Sequence, residues 1–227
     1  MYETKDNPNC YMHKKLIIFG ASRQAKCIYK VLKFEGVEAY GFCVDKEYKK
    51  EDTYVGRPLY ETDEFIRQCS PQEYIMLLPI SFVNRCVFRK EKYLQFKNLG
   101  YDFYTHISKY ALVYTDRENI GKNVYIASNT MIQPDVNIED NSYISEGSQI
   151  GHDTHIHQHC FIGPQTTIGG SCDIGEGVHV GVGTVIREYV KVVGGAILGM
   201  GTAIYRDVES PGVHLHTLSY EPRIRHK

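Results

Sequence analysis

From Ile120 onward an aliphatic residue returns at every sixth position without a slip: Ile120, Ile126, Ile132, Ile138, Ile144, Ile150, Ile156, Ile162, Ile168, Ile174, Val180, Ile186, Val192, Leu198 and Ile204. Four residues after each stands a small or β-branched residue, from Val124 and Thr130 through Cys160 and Cys172 to Thr202 and Val208. Glycine often follows the aliphatic directly, as at Gly121, Gly151, Gly163, Gly169, Gly175, Gly181 and Gly199. A six-residue period suits neither an α-helix nor a heptad coiled coil, and it is the rhythm of a parallel β-helix. Each hexapeptide supplies a short strand and a corner, and three of them close one triangular coil. The aliphatic and the small residue are expected to point inward, with copies stacked every eighteen residues. Fifteen hexapeptides predict five coils, a prism roughly 24 Å tall at the usual strand spacing. A sandwich of ordinary strands would alternate with period two and vary its loop lengths.

The residues before this follow a different pattern. "KKLIIFGAS" is an apolar strand entering a glycine turn at Gly20, and "RQAKCIYKVLKFEG" has helical spacing closed by Gly36. "VEAYGFCVD" predicts a second strand ending at Asp45. "YETDEFIRQC" opens on a Thr/Asp cap signal, "EYIMLLPI" predicts a third strand, and "VNRCVFRKEKYLQFKNLG" a long helix. Alternating strands and helices predict a doubly wound, Rossmann-like parallel sheet, whose ligands sit at the carboxyl ends of its strands. "GASRQA" lacks the glycines of a dinucleotide fingerprint, so NAD is not expected. The domain reading is therefore α/β over 1–105, β-helix over 106–209, and an irregular tail over 210–227.

A formal net charge of −1 gives no basic field for nucleic acid. No apolar run is long enough for membrane insertion, and the N-terminus has no signal-like core. Seven cysteines without a C-x-x-C pair favour reduced thiols and a cytoplasmic location.

"IGHDTHIHQHC" places His152, His155, His157 and His159 within eleven residues. His152 falls at a corner, where a neutral imidazole can serve as a base near neutral pH. Asp153 is its candidate orienting carboxylate, although neighbours on an extended chain point to opposite sides, and Glu146 is a second candidate. The other three histidines invite a metal reading. Their eighteen-residue neighbours, Asn137/Asp173, Glu139/Gly175 and Asn141/Gly177, include no histidine. No metal is therefore expected, and the three are read as solvent-facing or intersubunit groups. Arg85, opening the long helix, is a candidate partner for a phosphate.

"IIFGAS", "GFCVD", "ISEGSQIGHDTHI" and "GGAILGMGTAIYRDV" together resemble the sialic-acid O-acetyltransferase and bacillosamine-pathway N-acetyltransferase family. The resemblance spans roughly residues 15–209. It implies a left-handed β-helix, a homotrimer, and acetyl-CoA bound in a groove between adjacent subunits. His152 would be the base and the Gly170 amide would meet the acetyl oxygen. Val182, Gly199, Met200 and Gly201 would line the pantetheine arm. Gly20, Ser22 and Asp45 would lie near the nucleotide of a UDP-, dTDP- or GDP-linked amino sugar. The implied reaction is N-acetylation of that sugar for a surface polysaccharide such as O-antigen. Alternatives are O-acetylation, as in the sialic-acid branch, and a non-catalytic or metal-dependent scaffold. Two departures stand out: Arg23-Gln24-Ala25 replaces the family's glycine-histidine-glycine, and "SPGVHLHTLSYEPRIRHK" lacks its Gly-x-Pro-Ala turn.

Overall fold

The computed structural model describes residues 13–81 and 86–214. The N-terminal portion is a sheet built from β1 (Lys15–Phe19), β2 (Gly41–Val44), β3 (Thr53–Tyr54), β4 (Arg57–Glu61), β5 (Tyr74–Leu77) and β6 (Asp102–Phe103), interleaved with α1 (Arg23–Phe34), α2 (Thr62–Gln68) and α3 (Val87–Asn98). The strand order is β3-β4-β2-β1-β5-β6, parallel except for the β3–β4 pair. The order reverses about β1, which makes the sheet doubly wound. The three strands read from the sequence are present. The hairpin β3–β4 and the short β6 were not foreseen, because "TYVGRPLYE" has no clean alternation and β6 is two residues long.

Ser22 caps α1, its Oγ accepting from the Ala25 N–H at 3.2 Å. Gly36, with φ +89°, lets the Val37 N–H turn back to the Leu32 carbonyl, the expected glycine stop. The Thr/Asp cap expected for α2 is not used. Its N-cap is Glu61, and the Thr62 hydroxyl donates instead to the Val44 carbonyl and to Asp45.

The remainder of the described chain is the expected parallel β-helix. Its first face stacks Leu112–Val113, Met131–Ile132, Gln149–Ile150, Thr167–Ile168, Val185–Ile186 and Ala203–Ile204. The second stacks Asn137–Ile138, His155–Ile156, Asp173–Ile174 and Lys191–Val192; the third runs from His106–Ile107 to Gly212–His214. Every hexad aliphatic from Ile120 to Leu198 is buried, and so is every small residue from Val124 to Val208. The small residues also hydrogen-bond. Ser148 and Thr154 donate to the Gly163 and Gly169 carbonyls at 3.0 and 2.9 Å, and the Cys172 thiol reaches the Arg187 carbonyl at 3.1 Å. Hydroxyl or thiol at this position thus ties one coil to the corner of the next.

The prism is longer than the five coils counted from the sequence. Ile107 pairs with Ile126, a step of nineteen residues rather than eighteen, and Val113 pairs with Ile132 likewise. One inserted residue hides this coil from a strict six-residue count. At the other end Val192 pairs with Val208 and Leu198 with His214, steps of only sixteen. Gly212–His214 is therefore a strand of the third face, which corrects the reading of an irregular tail from 210; residues 215–227 lie outside the described residues.

An outward ladder of aromatic rings on the third face joins the sheet to the prism. His106, Tyr125, Tyr143, Phe161 and His179 stack at centroid spacings of 4.7–5.3 Å. Tyr125 and Tyr143 belong to one buried cluster with Leu16, Ile18, Ile28 and Leu32. Polar contacts flank it: the Leu78 N–H donates to Asn123 at 2.8 Å, and the Ser108 hydroxyl to Glu35 at 2.7 Å. The carboxyl end of β5 therefore abuts the β-helix, which puts the carboxyl edge of the sheet beside the prism.

Candidate active site

The corners of the prism set the geometry. At the edge between the first and second faces, Asp135, Asp153, Ser171 and Tyr189 have φ of 56–63°. This left-handed turn suits a short polar residue such as Asp at position 153. It also resolves the doubt raised by strand alternation. The chain turns so sharply at Asp153 that its side chain comes back beside His152, with Oδ2 2.7 Å from Nδ1. A carboxylate only accepts, so the imidazole proton sits on Nδ1 and Nε2 carries the lone pair. Both side chains are exposed.

Gly170 lies directly above. A Cβ built there would be 2.8 Å from Nε2 and from Cε1 of His152, so any other residue would push the ring aside. Gly151, immediately before His152, is equally constrained, since a Cβ on it would fall 2.4 Å from the Gly170 nitrogen. Two residues not singled out as site residues in the sequence thus shape this corner. Gly151 lets adjacent coils approach. Gln133 accepts the His152 backbone N–H on its Oε1 at 3.0 Å, anchoring the turn. Gly151 had a signal, its place after an aliphatic; Gln133 had none. Glu146, the second carboxylate candidate, lies on the turn between the third and first faces, a different edge.

The family model described as bacterial transferase hexapeptide, six repeats, matches residues 119–152 and again 153–188. Both matches fall within the β-helix. Among solved structures, the chain is similar to a point mutant of perosamine N-acetyltransferase from Caulobacter crescentus in complex with CoA and GDP-perosamine, with a TM-score of 0.77 and 19% identity over 88% of this chain and 93% of that one. It is similar to the acetyltransferase domain of PglB from Neisseria gonorrhoeae, with a TM-score of 0.76 and 19% identity over 88% and 95% of the two chains. WeeI from Acinetobacter baumannii follows at 0.74 and 19%, over 86% and 93%. These likenesses establish a shared fold. No protein of curated function matches the sequence.

The other expected site residues lie apart from His152. Val182, Gly199, Met200 and Gly201 stand at the edge between the third and first faces, a different corner of the prism. Val182 and Met200 are exposed, and Gly181 packs so tightly that a Cβ on it would meet the Met200 nitrogen at 2.5 Å. Glycines flank both exposed side chains, at Gly181 and Gly183 and at Gly199 and Gly201, which leaves the backbone beside them uncovered by side chains. One chain alone does not bring the two edges together.

Gly20 and Asp45 are at the carboxyl ends of β1 and β2. Gly20 has φ +112° and donates to the Cys43 carbonyl, making the strand-to-helix turn. Ser22 acts as the α1 cap, and its carbonyl accepts from the Tyr54 hydroxyl at 2.9 Å. Asp45 is mostly buried and held by Lys92 Nζ at 2.6 Å and the Thr62 hydroxyl at 2.9 Å. Arg85 lies outside the described residues, and the described helix begins at Val87 rather than before it.

The histidines divide. His155 and His157 lie outward on the second face, partly exposed as expected. His159 does not: it is 2% exposed, bonded through Nδ1 to Asn141 Nδ2 at 2.8 Å and met edge-on by the Tyr93 ring of α3. The docked α/β portion covers this edge, which no local pattern could announce. Burial pushes the His159 imidazole down to about 4. A folded value below the ordinary 6.5 means the unfolded chain takes up the proton first as pH falls. Stability is then fully present above about pH 6.5 and drains away toward pH 4, by up to about 1.4 kcal/mol per pH unit. His106, likewise buried and pushed down to about 4, acts over the same window. Thermal midpoints measured from pH 7 to 4.5 are expected to fall, and His159→Asn to flatten the slope.

Among the described residues no helix is long and apolar enough to cross a membrane.

Proposed function

We propose that the chain transfers acetyl from acetyl-CoA to the amine of a nucleotide-linked amino-deoxysugar destined for a surface glycan. The observation that carries this reading is the His152–Asp153 pair poised over Gly170 at an exposed corner of a hexapeptide β-helix. Support also comes from the relatives in fold, one solved with CoA and GDP-perosamine and another, at 18% identity, with acetyl coenzyme A.

In this mechanism the sugar amine attacks the thioester carbonyl and forms the new C–N bond. His152 Nε2 takes the amine proton while Asp153 balances the growing charge on the imidazolium. The Gly170 N–H stabilises the tetrahedral oxyanion. Collapse breaks the C–S bond, and the imidazolium returns its proton to the leaving thiolate. The pantetheine arm lies along the glycine-rich edge at Val182 and Gly199–Gly201. That edge and the His152 corner come from neighbouring copies of a left-handed homotrimer. Exposed Val182, Val185, Met200 and Tyr205, on or beside the first face, fit burial against another copy. Residues 1–105 form the nucleotide-sugar domain, with Gly20, Ser22 and Asp45 on its ligand edge; Arg85 is the proposed partner of a phosphate. The free thiols Cys27, Cys43, Cys69, Cys86, Cys160 and Cys172 suit a cytoplasmic, reducing setting.

The test is release of CoA thiol from acetyl-CoA across UDP-, dTDP- and GDP-linked sugars. Amino sugars are expected to drive release and their hydroxyl counterparts to leave it at background. Release with hydroxyl sugars alone would reassign the reaction to O-acetylation, and silence across the panel would refute acetyl transfer to nucleotide sugars.

A further inference from the structure

Away from the His152 corner, the second face carries a compact group of ligand-type side chains drawn from three successive coils: Glu139, His155 with His157, and Asp173. His155 Nε2 is 2.8 Å from Glu139 Oε1, and His157 Nδ1 is 3.6 Å from the same oxygen. Ligand atoms of Glu139, His155 and His157 all lie within 4.8 Å of one another. The far nitrogen of His157, Nε2, is 2.8 Å from Asp173 Oδ1.

Proton bookkeeping shows what this arrangement needs. Asp173 can only accept, so a neutral His157 keeps its proton on Nε2. Its Nδ1 lone pair then faces the Glu139 oxygen, lone pair against lone pair. A second proton on His157 relieves this, and so does a cation between the two atoms. With both imidazoles neutral, the two carboxylates leave two negative charges, which one divalent ion cancels.

We propose that Glu139, His155 and His157 bind a divalent transition-metal ion of the zinc class, with Asp173 as the carboxylate that orients His157 from behind. Two imidazoles and one carboxylate suit zinc, cobalt or nickel, whereas calcium and magnesium favour all-oxygen sets. A carboxylate on the distal nitrogen of a ligating histidine is the usual second partner in such sites. The two rings are now stacked at 4.0 Å with planes 20° apart, so each must turn until its plane contains the ion. The side chains are 40% and 34% exposed, which leaves room for that rotation and a fourth position open to solvent. The stacked-coil partner is thus a glutamate rather than a histidine, which is why histidine-on-histidine stacking does not reveal the site. The bound ion would tie the coil of Glu139 to that of His155 and His157, and it stands independently of acetyl transfer.

Titration of the untagged full chain with cobalt(II) tests this directly. One equivalent per chain is expected to bind, with visible d–d absorption that zinc displaces. Glu139→Gln and His155→Ala should each abolish the band. Asp173→Asn should weaken binding about 10–100-fold. His152→Ala should leave it intact, which separates this site from the proposed base. All four positions are partly or fully exposed, and circular dichroism checks that the variants fold. Lack of absorption in the parent chain, or a band that persists in the Glu139→Gln/His155→Ala double variant, overturns the site.

Discussion

Replacing His152 with alanine is expected to lower turnover of acetyl transfer by about 10²–10⁴-fold, the usual contribution of a positioned general base. The side chain is exposed and makes no core contact, so the loss should come without a change in thermal midpoint. Asp153→Asn is the informative companion. Asparagine tolerates the left-handed φ of 56° as well as aspartate does, so the corner is kept and only the charge is removed. Asp153→Ala would instead mix the loss of charge with backbone strain of order 1–3 kcal/mol. Asp153→Asn should therefore reduce turnover less than His152→Ala and leave the affinity for acetyl-CoA unchanged. Single-turnover thiol release, with binding measured by calorimetry, separates these effects. Full turnover in His152→Ala would remove the imidazole from the chemistry.

Arg89→Ala should destabilise the protein by about 3–5 kcal/mol, the sum of stranded buried carbonyls and an unfilled volume. Arg89 is fully buried where α3 meets the β-helix. Its Nε donates to the Asn141 carbonyl at 2.7 Å and its Nη1 to the Ile80 carbonyl, while the guanidinium lies 5.9 Å from the Tyr143 ring. Burial pushes its pKa down to about 10, still far enough above neutrality for the group to remain a cation. One carbonyl belongs to the α/β portion and the other to the prism, so this side chain spans the seam. Asn141 extends the link, donating to the Arg89 carbonyl at 3.2 Å and accepting from Asn123 at 2.7 Å. Urea denaturation should show the loss, and Arg89→Lys, which reaches fewer acceptors, should recover only some of it. A change below about 1 kcal/mol would mean that the Tyr125–Tyr143 ladder and its flanking polar contacts hold the seam without this side chain.

The core of the prism was legible because its period is written in single residues. Ile126, Ile144 and Ile162 are each fully buried, one above another at eighteen-residue steps, so the six-residue rhythm maps directly onto burial. Legibility stopped where the count slipped, at the extra residue before Ile126 and the shortened steps into Val208 and His214. It stopped again at β3 and β4, whose pairing depends on a hairpin rather than on a repeat.

The candidate site divides along the same line. Local sequence put His152 at a corner and supplied an adjacent carboxylate. Only the fold decided that the turn at Asp153 brings the two together, and that Gly170 has no side chain because the imidazole occupies that space. Likewise "HIHQH" reads as three equivalent polar positions, yet His155 and His157 face outward beside Glu139 while His159 is sealed beneath α3. The physical reason is range. A repeat fixes which residues point inward, because neighbours along the chain impose that. Which outward residues meet solvent, another domain or one another depends on groups eighteen or more residues away, and that is settled only when the coils stack and the α/β portion docks.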